Sequence, residues 1–171
     1  MAQRINISGR YGTHLPCLIQ AMEITTGDVL ELGMGVFSTP FLHYKCMIEG
    51  RTLYSYENFE SWMNFFVKYE YRNKNHQINL VDKYANAPIN KEWGLVLLDQ
   101  TPDDSRAEEA KRLAKKAQII VIHDSNEKNT QYNYKDIYPL FKYRSDWIID
   151  RNHATVLSNF INLKDFWGDK L

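Results

Sequence analysis

The chain has few of the residues that mark several specialised protein classes. Among its 171 residues are only two cysteines, Cys17 and Cys46, too few for a disulfide framework or a cysteine-bound metal cluster. Both stand in apolar surroundings, so we expect buried free thiols and a cytoplasmic protein. Eight glycines and five prolines argue against collagen-like repeats and low-complexity sequence.

Neither sign of charge dominates the composition. Lys and Arg together number 21, as do Asp and Glu, so the net charge is zero and we expect no nucleic-acid partner. No apolar run approaches the roughly 20 residues that a membrane span needs, and the polar N-terminus lacks the apolar core of a signal peptide. We therefore expect no membrane partner. A hydrophobic share of 44% fits a single globular domain, 1–171.

Short apolar segments alternate with longer amphipathic ones along most of the chain. The pattern predicts strands at 28–32, 52–56, 77–81, 94–98 and 118–122, and helices at 40–48, 58–69, 105–117 and, broken at Pro139, 134–143. Segments 147–150 and 154–158 flank a polar turn and predict an antiparallel hairpin. The expected fold is a three-layer α/β sandwich around a mostly parallel seven-stranded sheet with an antiparallel C-terminal hairpin.

Two of the predicted helices carry local signals. Thr39 and Pro40 suit the N-cap and the first position of the helix over 40–48. Glu108 and Arg112 are spaced to pair on one helix face.

The chain after the first strand reads Glu31-Leu32-Gly33-Met34-Gly35-Val36-Phe37-Ser38-Thr39. Gly33 and Gly35 allow a sharp turn and a close ligand, and the following helix adds amide donors. A dinucleotide or a nucleoside would fit. The dinucleotide fingerprint is incomplete, because Ser38 stands where its third glycine belongs.

A carboxylate ends the second predicted strand. Glu57 comes 22 residues after Gly35 and is followed by Asn58. An acid at this position can accept hydrogen bonds from both ribose hydroxyls of a bound nucleotide. The structural alternative is that Glu57 caps the helix that begins near Asn58.

The segment Glu31-Leu32-Gly33-Met34-Gly35 resembles the acidic-x-Gly-x-Gly motif of class I S-adenosylmethionine-dependent methyltransferases. The resemblance spans residues 28–160 and includes the closing hairpin. It implies a Rossmann-like sandwich and an enzyme that binds S-adenosylmethionine, with Glu31 near the ammonium of the methionine moiety and Asp82 or Tyr84 near the adenine. The implied cofactor residues are Glu31, Gly33, Met34, Gly35, Ser38, Glu57, Asn58, Asp82 and Asp99.

Acidic residues also follow the fourth and fifth predicted strands. Asp99, then Ile122-His123-Asp124-Ser125, resembles small O-methyltransferases that act on sugars, antibiotics and catechol-like hydroxyls. In several of these groups the acids hold Mg²⁺, which makes Asp99, Asp124 and Asn126 the metal candidates here. The sequence departs from that pattern, because Ser125 precedes Asn126 and no Asp-Gly-Asp follows the fourth strand.

The expected catalytic residues are Asp99, His123 and Asp124. Without a metal, His123 or Asp99 is the candidate general base; the alternative for His123 is a structural, half-buried histidine. Arg106 is expected to pair with Asp103 or Asp104.

The expected reaction is methyl transfer from S-adenosylmethionine to a small polar acceptor, at a hydroxyl oxygen. The alternatives are a non-catalytic nucleoside-binding module and a nicotinamide-dependent oxidoreductase. Residues 1–27 are predicted as an N-terminal helix or lid, with Tyr11 or His14 facing the site, and 161–171 as a tail. The small size leaves the acceptor site to strand-end loops, the lid or a second subunit, so a homo-oligomer is a candidate.

Overall fold

The centre of the protein is a seven-stranded sheet with the order β3-β2-β1-β4-β5-β7-β6. The computed structural model describes residues 8–70, 73–101, 105–126, 133–149 and 152–168. The strands are β1 Val29–Leu32, β2 Leu53–Glu57, β3 His76–Leu80, β4 Trp93–Leu98, β5 Ala117–His123, β6 Tyr143–Ile149 and β7 Asn152–Ser158. Strands β1 to β5 pair in parallel, and β7 is antiparallel to β5 and β6. The predicted fold class is confirmed.

Helices cover both faces of the sheet. They are α1 Leu15–Ile24, α2 Ser38–Glu49, α3 Glu60–Met63, α4 Ser105–Leu113 and α5 Tyr134–Ile137. One apolar core packs α1 and α2 on one sheet face, and a second packs α4 and α5 on the other. Alternate residues of each central strand enter the two cores, as the continuous apolar runs require. The strand order reverses between β1 and β4, which marks the edge where ligands bind in such sheets.

Several local expectations need correction. The helix predicted over 58–69 is wrong, because α3 has four residues and only a 3₁₀ turn, Val67–Tyr69, follows. The periodic aromatic residues in this stretch led to that prediction, yet Phe59 is 66% exposed and does not belong to a buried helix face. Helix α2 begins at Ser38, two residues earlier than predicted, with Phe37 rather than Thr39 at the N-cap.

Two further expectations differ from the structure. Glu108 pairs with Lys111, while Arg112 pairs with Glu109, since Glu109 is buried and its charge needs a partner. The expected C-terminal tail contributes Leu163 and Phe166 to the core on the α1 face. Cys17 and Cys46 are buried free thiols, as expected. Within the described ranges, no helix has the length and apolar character to cross a bilayer.

The turn after β1 requires glycine at position 33. Gly33 has a φ of +86°, and a Cβ placed there would lie 2.5 Å from the backbone carbon of Asp99. Its amide donates to the carbonyl of Tyr56, and the amide of Asp99 donates to the carbonyl of Leu32. The ends of β1, β2 and β4 are therefore drawn together at one point.

A buried carboxylate holds the same turn from below. Glu31 is fully buried on the α2 side of the sheet and accepts hydrogen bonds from the hydroxyls of Ser38 at 2.7 Å, Thr39 at 2.9 Å and Ser55 at 2.6 Å. The hydroxyl of Thr39 in turn accepts from the amide of Gly35. Burial raises the pKa of Glu31 to about 7, although the three hydroxyl donors oppose the shift.

We predict that Gly33→Ala destabilises the fold far more than Gly50→Ala. Gly50 also has a positive φ, +68°, but open space surrounds its missing Cβ. The left-handed backbone alone should cost about 1 kcal/mol in Gly50→Ala. The additional backbone collision should raise the loss to about 3 kcal/mol in Gly33→Ala. Urea unfolding monitored by circular dichroism measures both, and equal losses would contradict the assigned contact.

We predict that Glu31→Gln changes the pH dependence of stability. Because the folded pKa of about 7 exceeds the ordinary value of 4.5, the Glu31 contribution is fully present at low pH and declines as pH rises through 7. A glutamine can replace the protonated acid in the network without titrating. The free energy of unfolding of the variant, relative to wild type, should therefore increase by about 2 kcal/mol between pH 5 and pH 8.

The matched control for this measurement is Glu108→Gln, which removes an exposed carboxylate paired only with Lys111. Its difference from wild type should stay flat across the same pH range. A flat difference for Glu31→Gln as well would show that Glu31 does not titrate in this window.

Candidate functional site

A pocket of about 450 Å³ opens beyond the carboxyl ends of β1, β2 and β4. Its lining residues come from the loops that follow these strands and from α3: Gly33, Met34, Glu57, Asn58, Phe59, Trp62, Asp99 and Thr101. The volume lies within the range of small-ligand sites. Five of the predicted cofactor residues meet here, namely Gly33, Met34, Glu57, Asn58 and Asp99.

Glu57 binds the backbone around the pocket. Its Oε2 accepts from the amide of Met34 at 3.0 Å, and its Oε1 accepts from the amides of Asn58 at 3.0 Å and Phe59 at 3.1 Å. It therefore orients the glycine loop and the two residues that precede α3, whereas α3 itself begins at Glu60 without a side-chain cap, so the alternative helix-capping role is not observed. A carboxylate has about four acceptor positions, so Oε2 keeps one for a ligand. No described cation pairs with Glu57.

Two side chains after β2 close the pocket in ways that the sequence did not reveal. The indole Nε1 of Trp62 donates to the carbonyl of Met34 at 2.7 Å and so joins α3 to the glycine loop. The side-chain amide of Asn58 donates to the backbone carbonyl of Thr101 at 2.9 Å, across the pocket. Phe59 is exposed at the rim. The spacing of the aromatic residues in 58–69 predicts one face of a helix, but spacing alone does not separate a core from a pocket wall.

Asp99 forms the other polar side of the pocket. Its Oδ1 accepts from Nδ1 of His123 at 2.9 Å and from the guanidinium of Arg106 at 3.2 Å. Burial opposes ionisation of Asp99, but the His123 hydrogen bond and the nearby His123, His14 and Arg106 outweigh it and hold its pKa below the ordinary value. Both of these bonds end at Oδ1, which leaves Oδ2 for a ligand.

Arg106 fixes the strand ends to which these residues belong. Its guanidinium also donates to the carbonyls of Gln100 at 2.9 Å and His123 at 2.8 Å. Asp103 and Asp104, its expected partners, lie outside the described residues. The buried Arg106 therefore ties the end of β4 to the end of β5.

His123 is almost fully buried and has both ring nitrogens in hydrogen bonds. Nδ1 contacts Asp99, and Nε2 lies 2.9 Å from the hydroxyl of Thr13. Burial works against protonation of His123, but Asp99 outweighs it and raises the pKa above the ordinary value. His14 packs edge-on against His123, with ring centroids 4.4 Å apart. The N-terminal segment thus reaches the rim through Thr13 and His14, whereas Tyr11 is 57% exposed.

The other predicted metal candidates, Asp124 and Asn126, contact other parts of the protein, and Oδ2 of Asp124 lies 3.6 Å from Nδ1 of His123. Asp124 has a positive φ of 51°, and its Oδ1 accepts a hydrogen bond from the side-chain amide of Asn152. The side-chain oxygen of Asn126 accepts from the backbone amide of His153 at 2.9 Å. These residues dock the chain after β5 onto β7. Mg²⁺ prefers oxygen ligands, and the described cluster around Asp99 offers imidazoles instead.

Several predicted cofactor residues lie away from the pocket surface. Glu31 and Ser38 are fully buried in the network beneath the loop, so a direct contact with a ligand would require that network to open. Gly35 belongs to the loop without lining the pocket. Asp82 is exposed and accepts from the amide of Lys83 and the side chain of Asn86, which keeps it in a local turn. The nearby Tyr84 instead reaches Asn58 with its hydroxyl at 3.3 Å.

Solved structures with this arrangement are methyltransferases. A candidate O-methyltransferase from Klebsiella pneumoniae aligns with a TM-score of 0.63 at 9% identity, over 92% of this chain and 83% of that one. The O-methyltransferase TomG from Streptomyces achromogenes, solved with S-adenosylmethionine, aligns with a TM-score of 0.62 at 11% identity, over 89% and 81%.

The bifunctional kinase-methyltransferase WbdD aligns over 88% of this chain with a TM-score of 0.55 at 12% identity, but the chain spans only 37% of its length. No protein-family model matches the sequence, and no curated protein matches it at a significant level. The similarity to these solved structures, the strand order and the glycine loop all indicate the same fold. The chain has the fold of the class I S-adenosylmethionine-dependent methyltransferases.

Proposed function

We propose that the protein binds S-adenosylmethionine in the pocket beyond β1, β2 and β4 and transfers its methyl group to a hydroxyl oxygen of a small polar acceptor. The observation that carries this proposal is Glu57, a carboxylate without a described cationic partner, which lines the pocket beside the glycine loop. Its remaining acceptor position on Oε2 suits a ribose hydroxyl, and its negative charge favours a cationic ligand.

The same charge pattern argues against a nicotinamide dinucleotide. The pyrophosphate of a dinucleotide carries negative charge and is normally bound by a glycine-rich helix N-terminus. Here, no lysine or arginine is among the described lining residues, and Ser38 stands in place of the third glycine of the dinucleotide fingerprint. S-adenosylmethionine has a sulfonium and an ammonium group and no phosphate, so it needs no such partner.

The reacting oxygen would lie beside Asp99. Methyl transfer from a sulfonium is an in-line displacement in which the acceptor oxygen forms the new bond to carbon and the sulfur keeps the electron pair of the old one. Alignment supplies much of the rate. Oδ2 of Asp99 accepts the hydrogen bond of the acceptor hydroxyl, orients it and takes its proton as the new oxygen–carbon bond forms. His123 stabilises the Asp99 carboxylate through Oδ1. Its role is indirect, because its two ring nitrogens are engaged with Asp99 and Thr13. Asp124 does not line the described pocket, but its Oδ2 lies 3.6 Å from Nδ1 of His123 and supports the positive charge of that ring.

We further propose that the acceptor is a small molecule of little charge, and that the protein is cytoplasmic. The balanced net charge and the buried free thiols Cys17 and Cys46 support these points. A homo-oligomer is supported by the free edge of β6, where Ile148 is 62% exposed.

We predict that Glu57→Ala weakens binding of S-adenosylmethionine at least about tenfold, or about 1.4 kcal/mol. The variant loses the ribose acceptor and the loop amide contact. Glu60→Ala is the matched control, since it removes an exposed carboxylate three residues away that does not line the pocket. Isothermal titration with S-adenosylmethionine, S-adenosylhomocysteine and NAD measures the affinities, and thermal unfolding confirms that each variant is folded. Binding of NAD alone would overturn the proposed cofactor.

We predict that Asp99→Asn retains S-adenosylmethionine binding within about threefold but lowers methyl transfer by on the order of 100-fold, the range for a lost proton-handling group. Release of S-adenosylhomocysteine is measured with a panel of hydroxylated acceptors, each paired with its methyl ether as a blank. Transfer to the ethers or undiminished transfer by Asp99→Asn would contradict the hydroxyl assignment. Cofactor binding without turnover of any acceptor would favour the non-catalytic module.

A further inference from the structure

We propose that His14, Asp99 and His123 form a binding site for a divalent transition-metal ion at the rim of the pocket. One ligand atom from each residue lies within 4.8 Å of the other two. The three residues come from the segment before α1, the end of β4 and the end of β5. They are therefore brought together by the fold and not by a sequence motif. This set differs from the oxygen ligands Asp99, Asp124 and Asn126 that a magnesium site would need.

His14 provides the observation that points to a ligand. Its side chain is 1% exposed, and both ring nitrogens are buried without a hydrogen-bond partner among the described residues. An imidazole buried without partners is costly, since its polar atoms lose water and gain nothing. Although His14 occupies the N-cap of α1, it makes no capping bond. Either ring nitrogen of a neutral imidazole can supply the lone pair that a metal needs.

The hydrogen bonds of His123 leave its Nδ1 in the middle of the cluster. Thr13 donates its hydroxyl to the carbonyl of Arg10, so the same oxygen is available to accept from Nε2 of His123. Nδ1 then faces Oδ1 of Asp99 at 2.9 Å. In the hydrogen bond described above, Nδ1 donates its proton to Oδ1 of Asp99. A metal would replace that proton, and Thr13 would hold the ring from the far side, as the outer partners of metal-bound histidines do.

The ligand types select the class of ion. Two imidazoles and one carboxylate suit zinc, manganese, iron, cobalt or nickel in the divalent state, whereas Mg²⁺ prefers oxygen. Three protein ligands leave coordination positions open for an exogenous group. Two ligands of one ion are at most about 4.2 Å apart, so the widest separation must close by roughly half an ångström. The ring nitrogens of His14 have no described hydrogen bond that would oppose such a movement.

Asp99 belongs both to this cluster and to the pocket wall. An ion bound here can therefore coordinate the acceptor oxygen and lower the pKa of its hydroxyl. That catalytic role rests on the proposed function. The binding of metal does not, because it concerns only the three side chains.

The test uses the full chain, freed of metal by dialysis against a chelator. Isothermal titration with Zn²⁺ should show one site, and Co²⁺ should produce visible absorption bands that Zn²⁺ abolishes. Mg²⁺ should cause neither effect. His14→Gln should weaken Zn²⁺ binding by on the order of 100-fold, through loss of a direct ligand. His153→Gln is the matched control, since His153 lies outside the cluster, and its affinity should equal that of wild type.

A second measurement needs no variant and covers the case in which His14→Gln does not fold. In unsubstituted protein labelled with ¹⁵N-histidine, Zn²⁺ should shift the ring nitrogen signals of two of the five histidines. Absence of binding at millimolar Zn²⁺, equal affinity of His14→Gln, or shifts at surface histidines alone would each overturn the inference. Titration with S-adenosylmethionine runs in parallel, so a protein that binds the cofactor but not Zn²⁺ would refute the metal site while leaving the proposed function intact.

Discussion

The contact between the backbones of Gly33 and Asp99 is the constraint on which the site depends. With no Cβ at position 33, the loop after β1 can lie against the end of β4, where any side chain would collide with the Asp99 backbone at 2.5 Å. That approach presents the amide of Met34 to Glu57 and places Asp99 in the same pocket wall. The two polar sides of the pocket are therefore coupled through a single point of the backbone.

Glu31 and Glu57 look equivalent in the sequence but have different roles in the structure. Strand register causes the difference. Glu31 pairs with Ser55 inside the sheet, on the face that α2 covers, so its carboxylate is enclosed by hydroxyls. Glu57 stands one residue beyond the last β1–β2 pair, Leu32 with Tyr56, where the sheet ends and the pocket begins. The motif places both acids near the glycine loop. The position of each acid relative to the end of its strand decides which one a ligand can reach.

The sheet was predictable because its signals are local. Continuous apolar runs marked the buried parallel strands, and the polar turn near 150 marked the hairpin of β6 and β7. The features of the site that the sequence did not predict depend on contacts between distant segments. Trp62 belongs to the pocket wall because the carbonyl of Met34, 28 residues away, accepts its indole hydrogen bond. Thr13 and His14 contact His123, although Thr13 and His123 are 110 residues apart in the chain. No periodicity in either segment indicates this contact.

The electrostatics of the pocket divide it into two halves with opposite tasks. Glu57 has no described cationic partner, so its half favours the positive charge of a sulfonium cofactor. Asp99 is surrounded by Arg106 and His123, so its half carries compensating positive charge. Under the proposed function, that second half stabilises the negative charge that develops on an acceptor oxygen as its proton leaves. Transfer of the methyl group neutralises the sulfonium and the oxygen together. The same pair of carboxylates thus acts on two oppositely charged reactants because their neighbours differ.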